Sequence, residues 1–250
     1  MTATTLALPT IDLDELIARG SLLTRVDRKY ALAAGDAAMA LDLVDGATTR
    51  VLEIGGRTDL GYTSTYLDTP GLDSFLRAAR DRRRRYKVRT RRYESNGACF
   101  LEVKTRFREH TVKTRLPGQH LHDGRLTAEG AAFVADTLAD AGVSGVDVAS
   151  LTAALRVDYR RITLFHEPSR TRVTVDSGLA WWDVRTGGWL ARPELAIIET
   201  KSTGRPAGMD RLLWSLGHRP DRISKYATAL GAMHPHLPSN KWRPVLKEHF

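Results

Sequence analysis

The sequence repeats one four-residue pattern three times, as Val88-Arg89-Thr90-Arg91, Val103-Lys104-Thr105-Arg106 and Val112-Lys113-Thr114-Arg115. β-Branched residues favour strands, and successive side chains of a strand point to opposite faces. Each repeat therefore puts two cations on one face and Val and Thr on the other. A Ser95-Asn96-Gly97 hairpin signal separates the first two repeats. The three segments predict adjacent antiparallel strands that share a basic face.

Two arrangements of that basic face are open. An ordinary antiparallel sheet buries its apolar side and leaves its cations in water. Like charges directly opposite one another on neighbouring strands destabilise a sheet, however. A sheet closed into a barrel would point the cations into a lumen, where a linear phosphate chain could neutralise them, because Arg binds phosphate bidentately and Lys binds it as a point charge. We favour the barrel.

The composition fits an anionic partner. The 250 residues include 38 Lys and Arg against 29 Asp and Glu, a formal net charge of +9. The single cysteine, Cys99, excludes an internal disulfide and a Cys-based zinc cluster. The N-terminus lacks a signal-peptide pattern and no apolar run is long enough for a membrane span. The sequence predicts a cytoplasmic protein without a membrane segment.

The densest basic run extends from Arg77 to Arg92 and contains one acidic residue, Asp81. One interpretation is the end of a helix, where the helix dipole favours cations, followed by solvated surface. The other is a nucleic-acid contact. Since no nucleic-acid-binding motif or aromatic interleaving accompanies the run, we expect solvated surface and no nucleic-acid partner.

Hydrophobic periodicity predicts an α+β chain. Helices are expected near residues 11–23, 35–45, 72–84, 127–141, 209–215 and 224–232, and further strands near residues 22–32, 61–68, 155–165, 172–179 and 195–201. The chain then divides into an N-terminal helical segment (residues 1–21), a barrel domain (22–232) and an extended C-terminal tail (233–250). Prolines disfavour regular helix in that tail.

A carboxylate on the basic face could hold a divalent cation against a phosphate substrate. In Ile198-Glu199-Thr200-Lys201, strand alternation places Glu199 and Lys201 on one face, so Glu199 is the best candidate metal ligand. Glu102 stands in the same relation to Lys104. Both glutamates could instead form plain cross-strand ion pairs.

Nine short motifs, in order, resemble those of the vacuolar transporter chaperone domain. This is the polyphosphate polymerase branch of the triphosphate tunnel metalloenzymes, a CYTH-like superfamily. The motifs cover about residues 22 to 230 and are Arg25-Val26-Asp27-Arg28-Lys29-Tyr30, Tyr66-Leu67-Asp68-Thr69, Arg89-Thr90-Arg91-Arg92-Tyr93, Glu102-Val103-Lys104, Val112-Lys113-Thr114-Arg115, Leu155-Arg156 to Arg161, Arg172-Val173-Thr174-Val175-Asp176, Ile198-Glu199-Thr200-Lys201 and Ser224-Lys225-Tyr226.

The resemblance implies an eight-stranded antiparallel β-barrel, a triphosphate tunnel, with helices packed outside it and at its ends. In this tunnel the γ-phosphate of ATP would be transferred to a growing inorganic polyphosphate with the help of Mn²⁺ or Mg²⁺. By position, the resemblance implies catalytic roles for Arg89, Arg91, Lys104 and Lys113. It likewise implies phosphate binding by Lys29, Arg156, Arg161, Arg172, Lys201 and Lys225, and metal binding by Glu199. Arg106 and Arg115 share the basic face but match no family position.

Two departures from the family pattern bear on function. Related tunnel hydrolases begin with a Glu-x-Glu-x-Lys strand, whereas Arg25 and Asp27 occupy the two acidic positions here. This difference favours the polymerase. Arg156 and Arg161 are five residues apart, so they share a face only if a bulge intervenes. The alternatives to a polymerase are a tunnel-type tripolyphosphate or nucleoside triphosphate phosphohydrolase and a non-catalytic polyphosphate-binding module.

Overall fold

The computed structural model describes residues 7–20, 26–108 and 110–250. It is an α+β structure built on an eight-stranded antiparallel sheet that curls into a half-barrel, and this confirms the predicted fold class. The strands of the sheet are β2 (Val26–Ala33), β4 (Leu60–Asp68), β5 (Arg84–Tyr93), β6 (Cys99–Phe107), β7 (His110–Pro117), β10 (Thr152–His166), β11 (Thr171–Asp183) and β13 (Leu195–Ser202). They are arranged in the order β2-β13-β11-β10-β4-β5-β6-β7, with β2 and β7 at the two ends.

Five short strands extend this sheet. They are β1 (Thr10–Ile11), β3 (Thr49–Leu52), β8 (Leu121–His122), β9 (Arg125–Leu126) and β12 (Trp189–Arg192). The long β10 pairs with β4 over most of its length and with β3 at its end. The predicted first strand began at residue 22, and its residues 22–25 lie outside the described part of the chain.

The described residues form seven α-helices: α1 (Leu13–Gly20), α2 (Ala34–Asp42), α3 (Asp73–Ala79), α4 (Ala128–Asp140), α5 (Gly208–Ser215), α6 (Ala227–Met233) and α7 (Arg243–His249). Helix α4 covers the convex face of β5 and β6, where its Val134 and Leu138 share a core with Val88 and Val103. Helices α2 and α5 cover β13 and β11 in the same way. The valines of the first two repeats therefore face outward into a helix-covered core, which leaves their cations on the concave side.

Helix α6 and the residues before it pack on the concave side. The Tyr226 ring stacks on Tyr66 at a centroid distance of 5.1 Å, and the Trp181 indole donates a hydrogen bond of 2.7 Å to the Lys225 carbonyl. The buried Asp68 carboxylate accepts a hydrogen bond of 2.6 Å from the Tyr226 hydroxyl and one of 2.9 Å from the Ser74 amide. These contacts fix the Lys225 backbone against the sheet. No helix in the described ranges is both long and apolar enough to cross a membrane.

Two expected elements differ in the structure. The helix expected over residues 72–84 ends at Ala79, because the chain turns at Asp81, whose φ is 52°. The arginines that follow Asp81 lead into β5 instead of ending a helix. The C-terminal residues are not an extended tail, since a 3₁₀ turn (Asn240–Trp242) leads into α7 and buries Trp242. Pro244 is compatible with α7 because it lies in the first turn, where a helix leaves amide groups unbonded.

Candidate functional site

The concave face of the half-barrel collects the cations of the three repeats. Residues directly opposite on paired strands share a face, and Arg89 stands opposite Glu102. Lys104 stands between Lys87 on one side and Lys113 on the other. The alternation predicted from the sequence is therefore correct for all three strands.

Glu102 neutralises part of this basic face. Its carboxylate lies 2.6 Å from the Arg89 guanidinium, also accepts a hydrogen bond from Lys113, and is 2% exposed. Burial alone would raise the pKa of Glu102, but the charges of Arg89, Arg91 and Lys113 outweigh burial and lower it well below the ordinary value. Glu102 is thus a charged, buried partner for two cations, which is the ion-pair alternative left open for it.

Arg91 and Lys104 are less compensated. The Arg91 side chain donates a hydrogen bond of 3.2 Å to the Ser64 hydroxyl, and no carboxylate of the described residues lies within 4.0 Å of it. Lys104 lies 3.9 Å from the Asp27 carboxylate. Since Asp27 is on β2 and Lys104 on β6, strands near opposite ends of the sheet order, this contact shows that the curled sheet brings its two walls together.

The second wall carries the other glutamate. The Glu199 carboxylate lies 3.1 Å from Lys201 and 3.8 Å from Lys29, and Arg172 stands opposite Lys201. Burial disfavours the charged form of Glu199, yet the charges of Lys201, Lys29 and Lys104 lower its pKa well below the ordinary value. Lys104 acts on Glu199 from the opposite wall. Glu199 is therefore an ionised carboxylate set among lysines.

Between the walls lies a buried triad. The Asp176 carboxylate receives two hydrogen bonds from the Arg161 guanidinium, at 2.5 and 2.8 Å, and a third from Lys225. Asp176 is fully buried. Burial would raise its pKa, but the two cations lower it below the ordinary range.

We use the name basic channel for the following concave-face residues: Asp27, Lys29, Lys87, Arg89, Arg91, Glu102, Lys104, Lys113, Arg161, Arg172, Asp176, Glu199, Lys201 and Lys225.

Arg156 does not belong to the basic channel. It is on the convex side, where its guanidinium pairs with Asp158 at 2.8 Å and half of the side chain is exposed. A bulge is present nearby, but it is on the neighbouring strand β11. Over this part of the strand pair β11 has three residue steps, which include Gly178 with φ 58°, while β10 has two. Because β10 itself alternates regularly here, Arg156 and Arg161 point to opposite faces. The prediction that Arg156 faces the channel together with Arg161 is wrong.

Three residues of the basic channel were not predicted from the sequence as site residues, namely Lys87, Asp176 and Asp27. Alternation could have found Lys87, which lies two positions before Arg89, and Asp176, which lies four positions after Arg172. Lys87 donates a hydrogen bond of 2.8 Å to the Ser224 hydroxyl. Arg106 and Arg115 share the concave face by register, but Arg106 bonds to the nearby Arg108 carbonyl at the rim.

Four lysines of the basic channel, Lys87, Lys104, Lys113 and Lys201, have a lowered pKa. Burial, followed by the charges of Lys29 and Lys104, lowers the pKa of Lys87 well below its ordinary value. Burial also lowers the pKa of Lys104. For Lys113 and Lys201 burial is again the main cause and lowers the pKa to about 8. An anion placed among these lysines would favour their charged forms.

The channel offers limited donors for a metal ion. Glu199 supplies one carboxylate, and the buried Thr174 hydroxyl on the facing strand has no hydrogen-bond partner within the described ranges. In the described parts of the chain, no three His, Cys, Asp or Glu side chains cluster closely enough to hold a metal. This donor set fits Mg²⁺ or Mn²⁺ only as an ion that takes most of its ligands from water and substrate oxygens, as Mg²⁺ commonly does.

Comparison with known proteins identifies the fold. A family model described as "VTC domain" matches residues 24–234. No curated protein matches the sequence. Among solved structures, a candidate adenylate cyclase from Bacillus halodurans has a TM-score of 0.50 and 12% identity, with 80% of this chain and 94% of that chain covered.

Two further solved structures are similar over most of their length. A protein of Pyrococcus horikoshii OT3 has a TM-score of 0.45 and 14% identity, covering 82% of this chain and 98% of that one. A candidate adenylyl cyclase from Hippeastrum, reported to have dominant triphosphatase activity, has a TM-score of 0.44 and 12% identity, covering 87% and 100%. At these identities the similarity concerns the fold alone, which is that of the CYTH-like triphosphate tunnel proteins.

Proposed function

The chain belongs to the VTC domain family, and we propose on this basis that it is a polyphosphate polymerase that transfers the γ-phosphate of ATP to a growing polyphosphate chain in the basic channel. The observation that carries this proposal is the excess of cations over carboxylates on a largely buried concave face. Among the described residues, the basic channel as defined above contains ten Lys and Arg side chains and four carboxylates. Such an arrangement is costly without a bound polyanion.

The chemistry requires positioning more than a protein nucleophile. A terminal oxygen of the polyphosphate attacks the γ-phosphorus of ATP, the bond from that phosphorus to the β–γ bridging oxygen breaks, and ADP leaves. Arg91 and Lys104 would hold the phosphates in line and offset the charge that develops during transfer. Arg89 and Lys113 are already paired with Glu102, so they would keep this side of the basic channel rigid.

Glu199, with the Thr174 hydroxyl opposite it, is the proposed place of Mn²⁺ or Mg²⁺. Glu199 and Thr174 would hold the ion, and its charge would offset the negative charge of the phosphate substrate. Since Glu199 is already close to Lys201 and Lys29, the substrate must supply the remaining ligands. Metal binding should therefore be weak without a phosphate chain.

A tunnel-type phosphohydrolase remains the second candidate, since Asp27 and Lys29 keep part of the first-strand pattern of the hydrolases on the channel face. Hydrolysis would use water in place of the polyphosphate oxygen. The two reactions differ in their products, which makes them separable in one assay.

We expect purified protein with ATP and Mn²⁺ to release ADP and to form an acid-labile phosphate polymer, and Glu199→Gln to lose at least about 100-fold in rate. The polymer is read on a polyphosphate gel and ADP by chromatography. Glu129→Gln, an exposed glutamate on α4, is the matched control and should keep full activity. Free phosphate without polymer would support the hydrolase. Tight polyphosphate binding without any turnover would support a non-catalytic binding module.

Polyphosphate binding should be accompanied by proton uptake. The free protein holds Lys113 and Lys201 with a pKa of about 8, and a bound polyanion raises both values. The complex therefore binds more protons than the free protein, and its affinity falls as pH rises through about 8. Titration calorimetry of tripolyphosphate in buffers of different ionisation enthalpy measures the uptake directly. Affinity that is constant from pH 7 to pH 9 would contradict this account.

A further inference from the structure

A second basic site lies outside the channel. A cavity of about 480 Å³ opens between the end of α3 and the start of β5. We call it the outer arginine pocket and define it by Arg77, Arg80, Arg82, Arg83 and Arg84. It contains much of the dense basic run for which the sequence predicted only solvated surface.

The protein compensates little of the charge in this pocket. The one carboxylate that lines it is Asp73, which pairs with Arg77 at 2.7 Å. Arg80, Arg82 and Arg83 are exposed, and no carboxylate of residues 7–20, 26–108 and 110–250 lies within 4.0 Å of them. The one carboxylate that lines the pocket is thus accompanied, among the described residues, by three guanidinium groups without a carboxylate partner.

The acidic residue within the basic run, Asp81, does not compensate the pocket arginines. Asp81 adopts a left-handed conformation, with φ 52°, and its carboxylate pairs with Arg85 and with Lys241 at 2.6 Å. Asp81 does not line the pocket. A left-handed backbone is unfavourable for a residue other than glycine, so this turn persists only because its surroundings hold it. The turn places the neighbouring arginines around the cavity, while the Asp81 carboxylate pairs with Arg85 and Lys241 instead.

The pocket lies at the same end of β5 as Lys87 of the basic channel. Lys87 of the channel and Arg85 are alternate residues of β5 and therefore share the concave face. Arg83 follows at the rim, where its carbonyl accepts a hydrogen bond from the Arg108 amide. From Lys87 to Arg83 the strand covers roughly 13 Å. A polyanion that leaves the channel past Lys87 would pass Arg85, which pairs with Asp81, and would reach the pocket around the end of β5.

We propose that the outer arginine pocket is a second subsite for inorganic polyphosphate, which binds the part of the chain that extends beyond the Lys87 end of the channel. This inference rests on the proposed function, because it requires a chain longer than the channel. By holding the emerging chain, the pocket would slow dissociation of the polymer between transfers. The enzyme would then make longer products without a change in the chemistry itself.

The surroundings favour polyphosphate over nucleic acid. Single-stranded nucleic acids bind to basic grooves that also offer aromatic rings for base stacking. No aromatic residue lines the pocket in the described part of the chain, and the nearby Phe107 ring, although exposed, already has the Arg84 guanidinium 4.5 Å and the Arg108 guanidinium 5.5 Å from its centroid. The pocket thus presents charge without a stacking surface.

The test compares the triple variant Arg80→Gln/Arg82→Gln/Arg83→Gln with a control of equal charge change, Arg57→Gln/Arg125→Gln/Arg211→Gln, whose arginines are exposed elsewhere. Affinities for long-chain polyphosphate and for tripolyphosphate are measured as a function of salt. We expect the pocket variant to lose about tenfold in affinity for the long chain and about 2 in the slope of log affinity against log salt. Its tripolyphosphate affinity should stay unchanged, and its products should be shorter.

Other outcomes overturn the proposal. Equal losses in both triple variants would show a general charge effect, and a parent that binds long and short chains equally would show that no outer subsite exists. If the pocket variant loses affinity for single-stranded RNA and keeps it for polyphosphate, the pocket is a nucleic-acid site. A parent that binds tripolyphosphate but makes no polymer contradicts the proposed function alone, and the binding comparison still decides the subsite.

Discussion

Asp176→Asn is expected to lower the free energy of unfolding by about 3–5 kcal/mol, the largest stability loss among the channel variants. Asp176 is fully buried, and its carboxylate pairs with both Arg161 and Lys225. The amide removes one negative charge and leaves two buried cations without compensation. Urea unfolding followed by circular dichroism measures the effect.

Asp158→Asn provides the matched control. Asp158 also pairs with an arginine, Arg156 at 2.8 Å, but both side chains are largely exposed. Exposed ion pairs contribute little, so this change should cost less than about 1 kcal/mol. If the two variants lose the same stability, the buried triad does not organise the channel as described.

Arg91→Gln is expected to reduce turnover about 100-fold while the protein stays folded. Arg91 lacks a close carboxylate partner in the described chain and bonds only to the Ser64 hydroxyl. Removing it costs about 1 kcal/mol for that hydrogen bond and relieves repulsion from neighbouring cations. Polymer synthesis and thermal melting, measured on the same sample, separate the two effects.

Two further variants serve as comparisons for Arg91→Gln. Arg156→Gln, on the convex face, should keep full activity. Arg89→Gln should lose stability as well as activity, because it removes the 2.6 Å partner of buried Glu102. A strong activity loss in Arg156→Gln, or an unfolded Arg91→Gln, would show that the concave face is not the site of the reaction.

Much of the fold could be predicted because two-residue alternation is a local property. The Val-Arg-Thr-Arg repeats indicated which face of β5, β6 and β7 is basic, and the register bears this out. The same alternation rule predicts that Arg156 and Arg161 point to opposite faces of β10. The family resemblance placed both residues in the channel, which would have required a bulge between them. The structure has its bulge on β11 at Gly178 instead.

Contacts between distant segments could not be predicted from local pattern. Repulsion among inward cations was expected for Arg89, yet Glu102 and Asp176 each neutralise two cations from other strands or from the segment before α6. The end of α3 depends on Asp81, whose left-handed turn is held by Lys241 from far along the chain. The helical C-terminus likewise depends on burial of Trp242 in the main core.

The channel therefore combines a rigid, internally paired framework with a smaller set of cations that the described carboxylates compensate less. Glu102 and Asp176 serve the framework. Arg91, Lys87 and Lys104 remain for an external anion, and burial keeps Lys87 and Lys104 easy to deprotonate when none is bound. This division explains why stability and activity should respond to different channel residues.

The most direct test of the central claim is a crystal structure of the protein with bound tripolyphosphate. The account predicts phosphate density on the concave face, within hydrogen-bond distance of Arg91 and Lys104. Phosphate density confined to the convex surface, with an empty channel, would contradict it.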